Sequence, residues 1–149
     1  MIANTNDKLS NIAWQILTTA PIFKKRLFRP EIEQKQNPIP LSYVQVLAAL
    51  NEKESMSVSE ISARFDIAKP NITPLIDRLI DAGYVKRVRN TADRRVVHVV
   101  IVDKGREKVA EVVDSLKKSI TSWSESLDDE KLDRLSGAIE TIRDIFEGE

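Results

Sequence analysis

Cysteine is absent from this 149-residue sequence and histidine occurs once, so two common sources of catalytic and metal-binding chemistry are nearly missing. Without cysteine the chain forms no disulfide, no thiolate metal site and no thiol redox sensor. The four glycines form no loop of the kind that cradles phosphate groups, and no convincing Ser/His/Asp arrangement occurs. We therefore expect a protein that is not an enzyme and that needs neither a metal nor a cofactor.

Long apolar runs are also missing. No segment approaches the roughly 20 apolar residues that a membrane-spanning helix needs. Residues 1–7 lack the basic start and apolar run of a signal peptide, so we expect a cytoplasmic protein with no membrane partner. Hydrophobic residues at 42% and charged residues at 31% favour a packed core over disorder. The length suits one domain, or one small domain with a dimerisation element.

The formal net charge is zero, but the charges are unevenly distributed. Residues 1–63 have a net charge of +1, residues 64–106 have 10 Lys/Arg and 5 Asp/Glu, and residues 107–149 have a net charge of −6. A basic middle is typical of an element that binds a polyanion. From charge alone, chance clustering on solvated helix faces is an equally good interpretation.

The first 40 residues predict one helix and a connection. Apolar residues recur at helical spacing over residues 7–29, and Pro21 should kink that helix or break it in two. Three prolines in residues 30–40 indicate a connecting segment.

Two capping boxes then predict two helix starts. Ser42 is followed three residues later by Gln45, and Ser57 by Glu60, so each serine is expected to cap a helix. The helix after Ser57 is short and should end near residues 65–66.

A fourth helix and a hairpin complete the central pattern. Apolar residues at helical spacing lead to Gly83, which is well placed to terminate the helix. The segments Tyr84–Arg89 and Val96–Val102 read as two strands, and the polar stretch Asn90–Arg94 reads as the turn between them.

Two more helices are expected at the C-terminal end, one long helix capped by Asp103 and one that starts at Asp128. The predicted fold class is therefore mainly α with a small β-hairpin. We expect a winged helix-turn-helix lobe over residues 41–102 and a helical dimerisation region from residues 1–40 and 103–149.

This order of elements suits DNA. An α-helix fits the major groove and its N-terminal residues reach base edges, while a basic hairpin tip follows the backbone or enters the minor groove. The segment Phe65–Arg87, the wing sequence Asp93-Arg94-Arg95 and the corner Asp103-Lys104-Gly105 together resemble the MarR family over nearly the whole chain. One departure is Val102, where the family often has threonine.

A second departure is Pro74, inside the proposed recognition helix. If the helix starts near Ala68, Pro74 removes an interior hydrogen bond at a cost of about 3 kcal/mol. If Thr73 is the cap, Pro74 is a favourable first residue. The resemblance favours the longer helix.

The resemblance assigns DNA contacts to the start of the recognition helix and to the wing. The predicted DNA-binding residues are Lys69, Pro70, Asn71, Thr73, Arg78, Asp93, Arg94 and Arg95. In this interpretation Asp93 supports the wing, Arg95 enters the minor groove and Arg94 contacts phosphate. The alternatives are ordinary helix capping by the polar residues, a plain surface ion pair between Asp93 and Arg95, and internal pairing of Arg78 and Arg87.

Family members bind small ligands between their dimerisation helices and their DNA-binding lobe. Trp14, Phe23 and Tyr43 are candidates for such an effector pocket, although core packing is the simpler interpretation. His98 stands among valines and is expected to be structural. The resemblance implies a homodimeric, ligand-responsive repressor on an inverted-repeat operator, with a winged-helix interaction scaffold that binds no DNA as the alternative.

Overall fold

The computed structural model describes residues 4–27, 39–124 and 127–148. Within these ranges the chain is mostly helical, as predicted, with six helices and three short strands. In chain order the elements are α1 (Thr5–Leu27), α2 (Leu41–Lys53), β1 (Ser55–Ser57), α3 (Val58–Phe65), α4 (Lys69–Asp81), β2 (Val85–Arg89), β3 (Val97–Ile101), α5 (Asp103–Ser124) and α6 (Asp129–Glu147).

The chain forms two compact units. The terminal unit consists of Met1–Pro30 with Leu116–Glu149, and the central unit consists of Glu31–Ser115. The helix α5 contributes residues to both units. Most of the predicted connection at residues 30–40 lies outside the described residues.

The central unit contains a three-stranded antiparallel sheet in the order β1-β3-β2. The predicted hairpin is present, and its strands pair from Val85 with Ile101 to Arg89 with Val97. The sequence pattern missed β1, which pairs with β3 on the other side. The predicted hairpin is therefore part of a three-stranded sheet, and the third strand, β1, lies between α2 and α3 in the chain.

Apolar side chains from all these elements meet in one core beneath the sheet. Because side chains alternate along a strand, Met56, Val99 and Ile101 point into the core while His98 lies on the other face. The buried apolar residues are Val46, Leu47, Ala49, Leu50, Met56, Ile61, Ile72, Leu75, Ile76, Leu79, Val85, Val99 and Ile101.

The helix α3 begins with the capping box that its sequence predicts. The Ser57 hydroxyl accepts from the Glu60 backbone N–H at 3.1 Å, and the Glu60 carboxylate accepts from the Ser57 backbone N–H at 2.6 Å. The predicted capping box is thus confirmed. The hydrogen bond from the Ser57 backbone N–H lowers the pKa of Glu60, and the Ser57 side chain adds to the effect.

Two other predicted helix caps are wrong. The helix α2 starts at Leu41 with Pro40 as its N-cap and without a side-chain cap, so Ser42 lies inside the first turn. Asp103 is the first residue of α5 rather than its cap, since the Val102 carbonyl accepts the first helical hydrogen bonds. Pro21 lies inside a continuous α1, so of the two predicted outcomes, a kink or a break, the break does not occur.

The helices of the terminal unit expose many apolar side chains. On α1 these include Trp14, with 67% of its surface exposed, and on α6 they include Phe146, with 80% exposed. Asp128 caps α6 as predicted, because its carboxylate accepts from the Lys131 backbone N–H at 2.9 Å. In the described parts of the chain, every helix is too short or too polar to cross a membrane.

Candidate nucleic-acid interface

The helix α4 presents a polar start to solvent while its other face is locked into the core. Ile72, Leu75 and Ile76 are buried, which fixes the rotation of the helix about its own axis. The predicted contact residues at its start are all exposed: Lys69, Pro70, Asn71 and Thr73. The core therefore holds α4 with these side chains directed away from the protein.

The longer of the two predicted versions of α4 is correct. The helix begins at Lys69 with Ala68 as its N-cap, and Pro74 lies inside it. The missing N–H of Pro74 leaves the Pro70 carbonyl without its intrahelical donor, but both prolines are exposed, so water can reach that carbonyl. Thr73 is not a cap, because its hydroxyl donates to the Lys69 carbonyl at 3.1 Å. Its oxygen keeps the capacity to accept a hydrogen bond from a base.

A Schellman motif ends α4 and leads directly into the sheet. Gly83 has a φ of +76°, a conformation that favours glycine. Its N–H donates to the Ile80 carbonyl at 2.8 Å, and the Tyr84 N–H donates to the Leu79 carbonyl at 3.0 Å. The predicted role of Gly83 is confirmed. This tight exit fixes the path from the recognition helix to strand β2.

The wing is the loop between β2 and β3, closed by the Asn90 N–H donating to the Val96 carbonyl at 3.1 Å. The Asp93 carboxylate accepts from the Arg95 backbone N–H at 3.0 Å, and the Asp93 carbonyl accepts from the Val96 N–H at 3.0 Å. Asp93 thus shapes the turn through the backbone. Among the described residues, its carboxylate forms no ion pair with Arg94 or Arg95.

Arg94 and Arg95 are exposed at the tip of this ordered loop. Two cationic side chains on a turn held by its own hydrogen bonds are well suited to phosphate or minor-groove contact. Their roles on DNA stay predictions, as do those of the α4 residues.

Two arginines are engaged within the protein. Arg78 on α4 donates from Nη1 to the Tyr43 hydroxyl oxygen on α2 at 3.0 Å. Arg87 on β2 pairs with Asp77 on α4 at 2.6 Å, with 41% and 49% of the two side chains exposed. The ion pair ties the recognition helix to the strand that enters the wing. Internal pairing of both arginines was one of the alternatives open from the sequence, but neither partner was predicted.

The three effector-pocket candidates lie in different units. Trp14 and Phe23 are exposed on α1 of the terminal unit, while Tyr43 packs against the core of the central unit. The effector pocket therefore stays a prediction. Asn90, whose side-chain oxygen accepts from the backbone of the wing turn, was not predicted as a functional residue. An asparagine at the start of a polar turn was the signal available for it.

Known proteins are similar in sequence to this region. The MarR family model matches residues 39–97, which contain α2, the recognition helix and the wing. The chain is 31% identical over 119 residues to the HTH-type transcriptional repressor MdtR of Bacillus subtilis, covering 78% of this chain and 75% of that protein.

Solved structures agree on the fold. A MarR family protein from Bacillus stearothermophilus superposes with a TM-score of 0.76 at 23% identity, over 97% of this chain and 99% of that one. The regulator BldR from Sulfolobus solfataricus superposes with a TM-score of 0.64 at 22% identity, over 94% and 99% of the two chains. At these identities the structural likeness shows the winged-helix fold alone. Family membership rests on the sequence matches.

Proposed function

The chain belongs to the MarR family of DNA-binding transcriptional regulators, and from this premise we propose that it is a homodimeric, ligand-responsive repressor of an inverted-repeat operator. The observation that supports DNA binding most directly is that two features occur together. The start of α4 is polar and exposed, and the hydrogen-bonded wing exposes the cationic side chains of Arg94 and Arg95. The core and the wing hydrogen bonds hold both elements in place before DNA arrives, which lowers the ordering cost of binding.

In the proposed docking, α4 enters the major groove with Lys69, Asn71 and Thr73 toward base edges. The wing lies beside it, with Arg95 in the minor groove and Arg94 on phosphate. Arg78 lies on the same helix, where its hydrogen bond to Tyr43 leaves other guanidinium donors for a phosphate contact. Lys69 and the wing arginines supply the sequence-independent part of the affinity.

Substitutions in the wing test this proposal. Arg95→Ala should weaken binding to duplex DNA by about 1–3 kcal/mol, and Arg94→Ala should reduce the slope of log affinity against log salt by about one. A gel-shift titration at several salt concentrations measures both. Both side chains are exposed, so circular dichroism should show an unchanged fold. If neither wild type nor variants bind duplex DNA, the winged-helix scaffold replaces this proposal.

The homodimer is proposed from the apolar surface of the terminal unit. Exposed large apolar side chains recur on α1 and α6, including Ile12, Ile16, Ile142 and Phe146. Exposed apolar side chains on amphipathic helices are typical of helices buried in a two-fold interface. In this arrangement residues 1–40 and 103–149 form the dimerisation region, and residues 41–102 form the DNA-binding lobe. Sedimentation should give about twice 16.9 kDa, and a monomer at micromolar concentration would contradict the proposal.

The operator follows from the symmetry of the dimer. Two identical recognition helices related by a two-fold axis meet half-sites about 10 base pairs apart, one turn of B-DNA. Selection from a random DNA pool should therefore return inverted repeats. Inserting five base pairs between the halves should abolish tight binding, because it turns the half-sites to opposite faces of the helix.

Ligand response is proposed for the aromatic side chains that α1 exposes. Trp14 and Phe23 offer apolar surface on α1 of the terminal unit. In the central unit, the Tyr43 hydroxyl accepts from Arg78 on the recognition helix and is a separate candidate contact. A ligand that displaced this hydrogen bond would act directly on α4. Tryptophan fluorescence titrations with a panel of small aromatic acids, compared between wild type and Trp14→Leu, test the site.

A further inference from the structure

A chain of hydrogen bonds runs from strand β1 through His98 on β3 to the base of the wing. Nδ1 of His98 lies 3.2 Å from the Ser55 hydroxyl oxygen, and Nε2 lies 3.4 Å from the Asn90 side-chain nitrogen. Through Oδ1, Asn90 accepts from the backbone N–H groups of Ala92 and Asp93 at 2.8 and 3.4 Å. The Asn90 side chain therefore joins His98 to the turn that carries the wing arginines.

The orientation of the Asn90 amide decides which state of His98 fits. Because Oδ1 faces two N–H donors, the amino group faces the histidine, and an amide amino group only donates. Nε2 of His98 must accept, so the neutral ring carries its proton on Nδ1 and donates it to the Ser55 oxygen. A second proton, on Nε2, would bring two donors face to face. Relieving that contact means moving Asn90 or turning its amide, and either change costs the bonds to the wing backbone.

Charged groups of both signs lie on the elements around the ring. The Glu60 carboxylate on α3 is close enough that the charge on His98 contributes to lowering the pKa of Glu60, as does Lys53 on α2. Lys86 on β2 shares the face of the sheet on which His98 lies, while β1 contributes only hydroxyl groups to it. The hydrogen bonds to Asn90 and Ser55 therefore distinguish the two states.

We propose that His98 is a positioning residue for the wing, and that its protonation weakens DNA binding by releasing Asn90 from the turn that presents Arg94 and Arg95. The inference rests on the proposed function in one respect, the docking of the wing on DNA. A proton added beside the DNA-binding elements would by itself strengthen phosphate binding. The proposed effect has the opposite sign, which separates it from general electrostatics.

The coupling between the ring and the turn is tested in the free protein. His98 is the single histidine, so its ring resonances in an NMR titration identify themselves. The backbone amide resonances of Ala92 and Asp93 should shift with the same midpoint as the ring. In His98→Gln, whose side-chain oxygen can still accept from Asn90, both amides should stay at their high-pH positions throughout. If the amide resonances of Ala92 and Asp93 do not shift when the ring titrates in wild type, the coupling is wrong.

The consequence for binding is tested with mixed-sequence duplex DNA at one pH well above and one pH well below the ring midpoint that the NMR titration measures. Wild-type affinity should fall about fivefold on acidification, which is about 1 kcal/mol at 1.4 kcal/mol per tenfold change. The affinity of His98→Gln should not fall. In Asn90→Asp a carboxylate oxygen can accept from the protonated ring, so the acid-induced loss should disappear or reverse. Equal pH responses in wild type and His98→Gln would refute the proposal.

Two results distinguish an error in the docking of the wing from an error in the role of His98. If Arg95→Ala binds DNA normally while the two amides follow the ring, the coupling holds and the docking of the wing is wrong. If Arg95→Ala weakens binding but the amides do not follow the ring, the role of His98 is wrong and the proposed function stands.

Discussion

Replacing Gly105 by alanine introduces a methyl group where the central unit has no room for it. Gly105 is buried in the first turn of α5. Its added Cβ would overlap the carbonyl oxygen of Tyr84 and lie 2.8 Å from Cγ1 of Ile101. That carbonyl accepts the Val102 N–H at 3.1 Å, so the methyl group meets hydrogen-bonded backbone rather than a flexible side-chain end.

Three effects set the size of the loss. Overpacking a core site typically costs about 1–3 kcal/mol, and weakening the hydrogen bond to the Tyr84 carbonyl costs about 1 kcal/mol more. The higher helix propensity of alanine returns about 1 kcal/mol. We expect Gly105→Ala to lower the free energy of unfolding by about 2 kcal/mol.

Gly137→Ala is the matched control. Gly137 lies in α6 with no heavy atom within 4 Å of an added Cβ. At 100° per residue it also faces away from the apolar side of α6 that contains Ile139, so a dimer interface there would not cover it. Alanine should therefore stabilise this helix by about 0.5–1 kcal/mol.

Urea unfolding at one fixed protein concentration measures both variants, since the stability of the proposed dimer would depend on concentration. Opposite shifts of the midpoint with unchanged m-values support the reasoning. Wild-type stability in Gly105→Ala would show that the close approach of α5 to the Tyr84 carbonyl is wrong. A loss in Gly137→Ala would contradict its exposure.

Four further experiments test other local features. Ser57→Ala should destabilise the protein by about 1 kcal/mol in urea unfolding. The pKa of Glu60 is lowered in the folded protein, so the ionised Glu60 carboxylate stabilises the fold fully above pH 4.5. This stabilisation is lost as the pH falls through the folded-state pKa, and Glu60→Gln should remove that loss of stability in acid. A double-mutant cycle on Asp77 and Arg87 should give a coupling of about 0.2–1 kcal/mol that shrinks in 1 M salt, since both side chains are partly exposed. Asn71→Ala should relax base preference at one symmetric pair of operator positions and leave the salt slope intact, as measured by selection from random DNA.

The two predicted capping boxes show where local sequence is sufficient and where it is not. At Ser57 the preceding backbone is extended, so the side chain reaches the Glu60 N–H and the box forms. At Ser42 the same spacing fails, because the Pro40 carbonyl already accepts from the Tyr43 and Val44 N–H groups, so the N-cap is Pro40, two residues before Ser42. A capping motif names the residues that can close a helix, whereas the incoming chain decides where the helix begins.

Strand β1 was missed for a different reason. Three residues carry almost no periodic signal, and their pairing with β3 joins positions more than 40 apart in sequence, Ser57 with His98 for example. Strand pairing at that separation depends on how α2 and α3 pack, which no local pattern records. The same limit applies to Asn90 and His98, whose contact exists only because the sheet brings them together.

By itself, the sequence determined the class of the fold, the order of recognition helix and wing, the apolar face of α4 and the termination at Gly83, because helical period, strand alternation and turn chemistry act over a few neighbouring residues. It also placed the cations of the wing. The tertiary structure decided which polar groups meet: Arg78 with Tyr43, Arg87 with Asp77, and His98 with Asn90. Each of these pairs joins two different elements or an element and its loop, so their distances follow from how the core packs rather than from spacing along the chain.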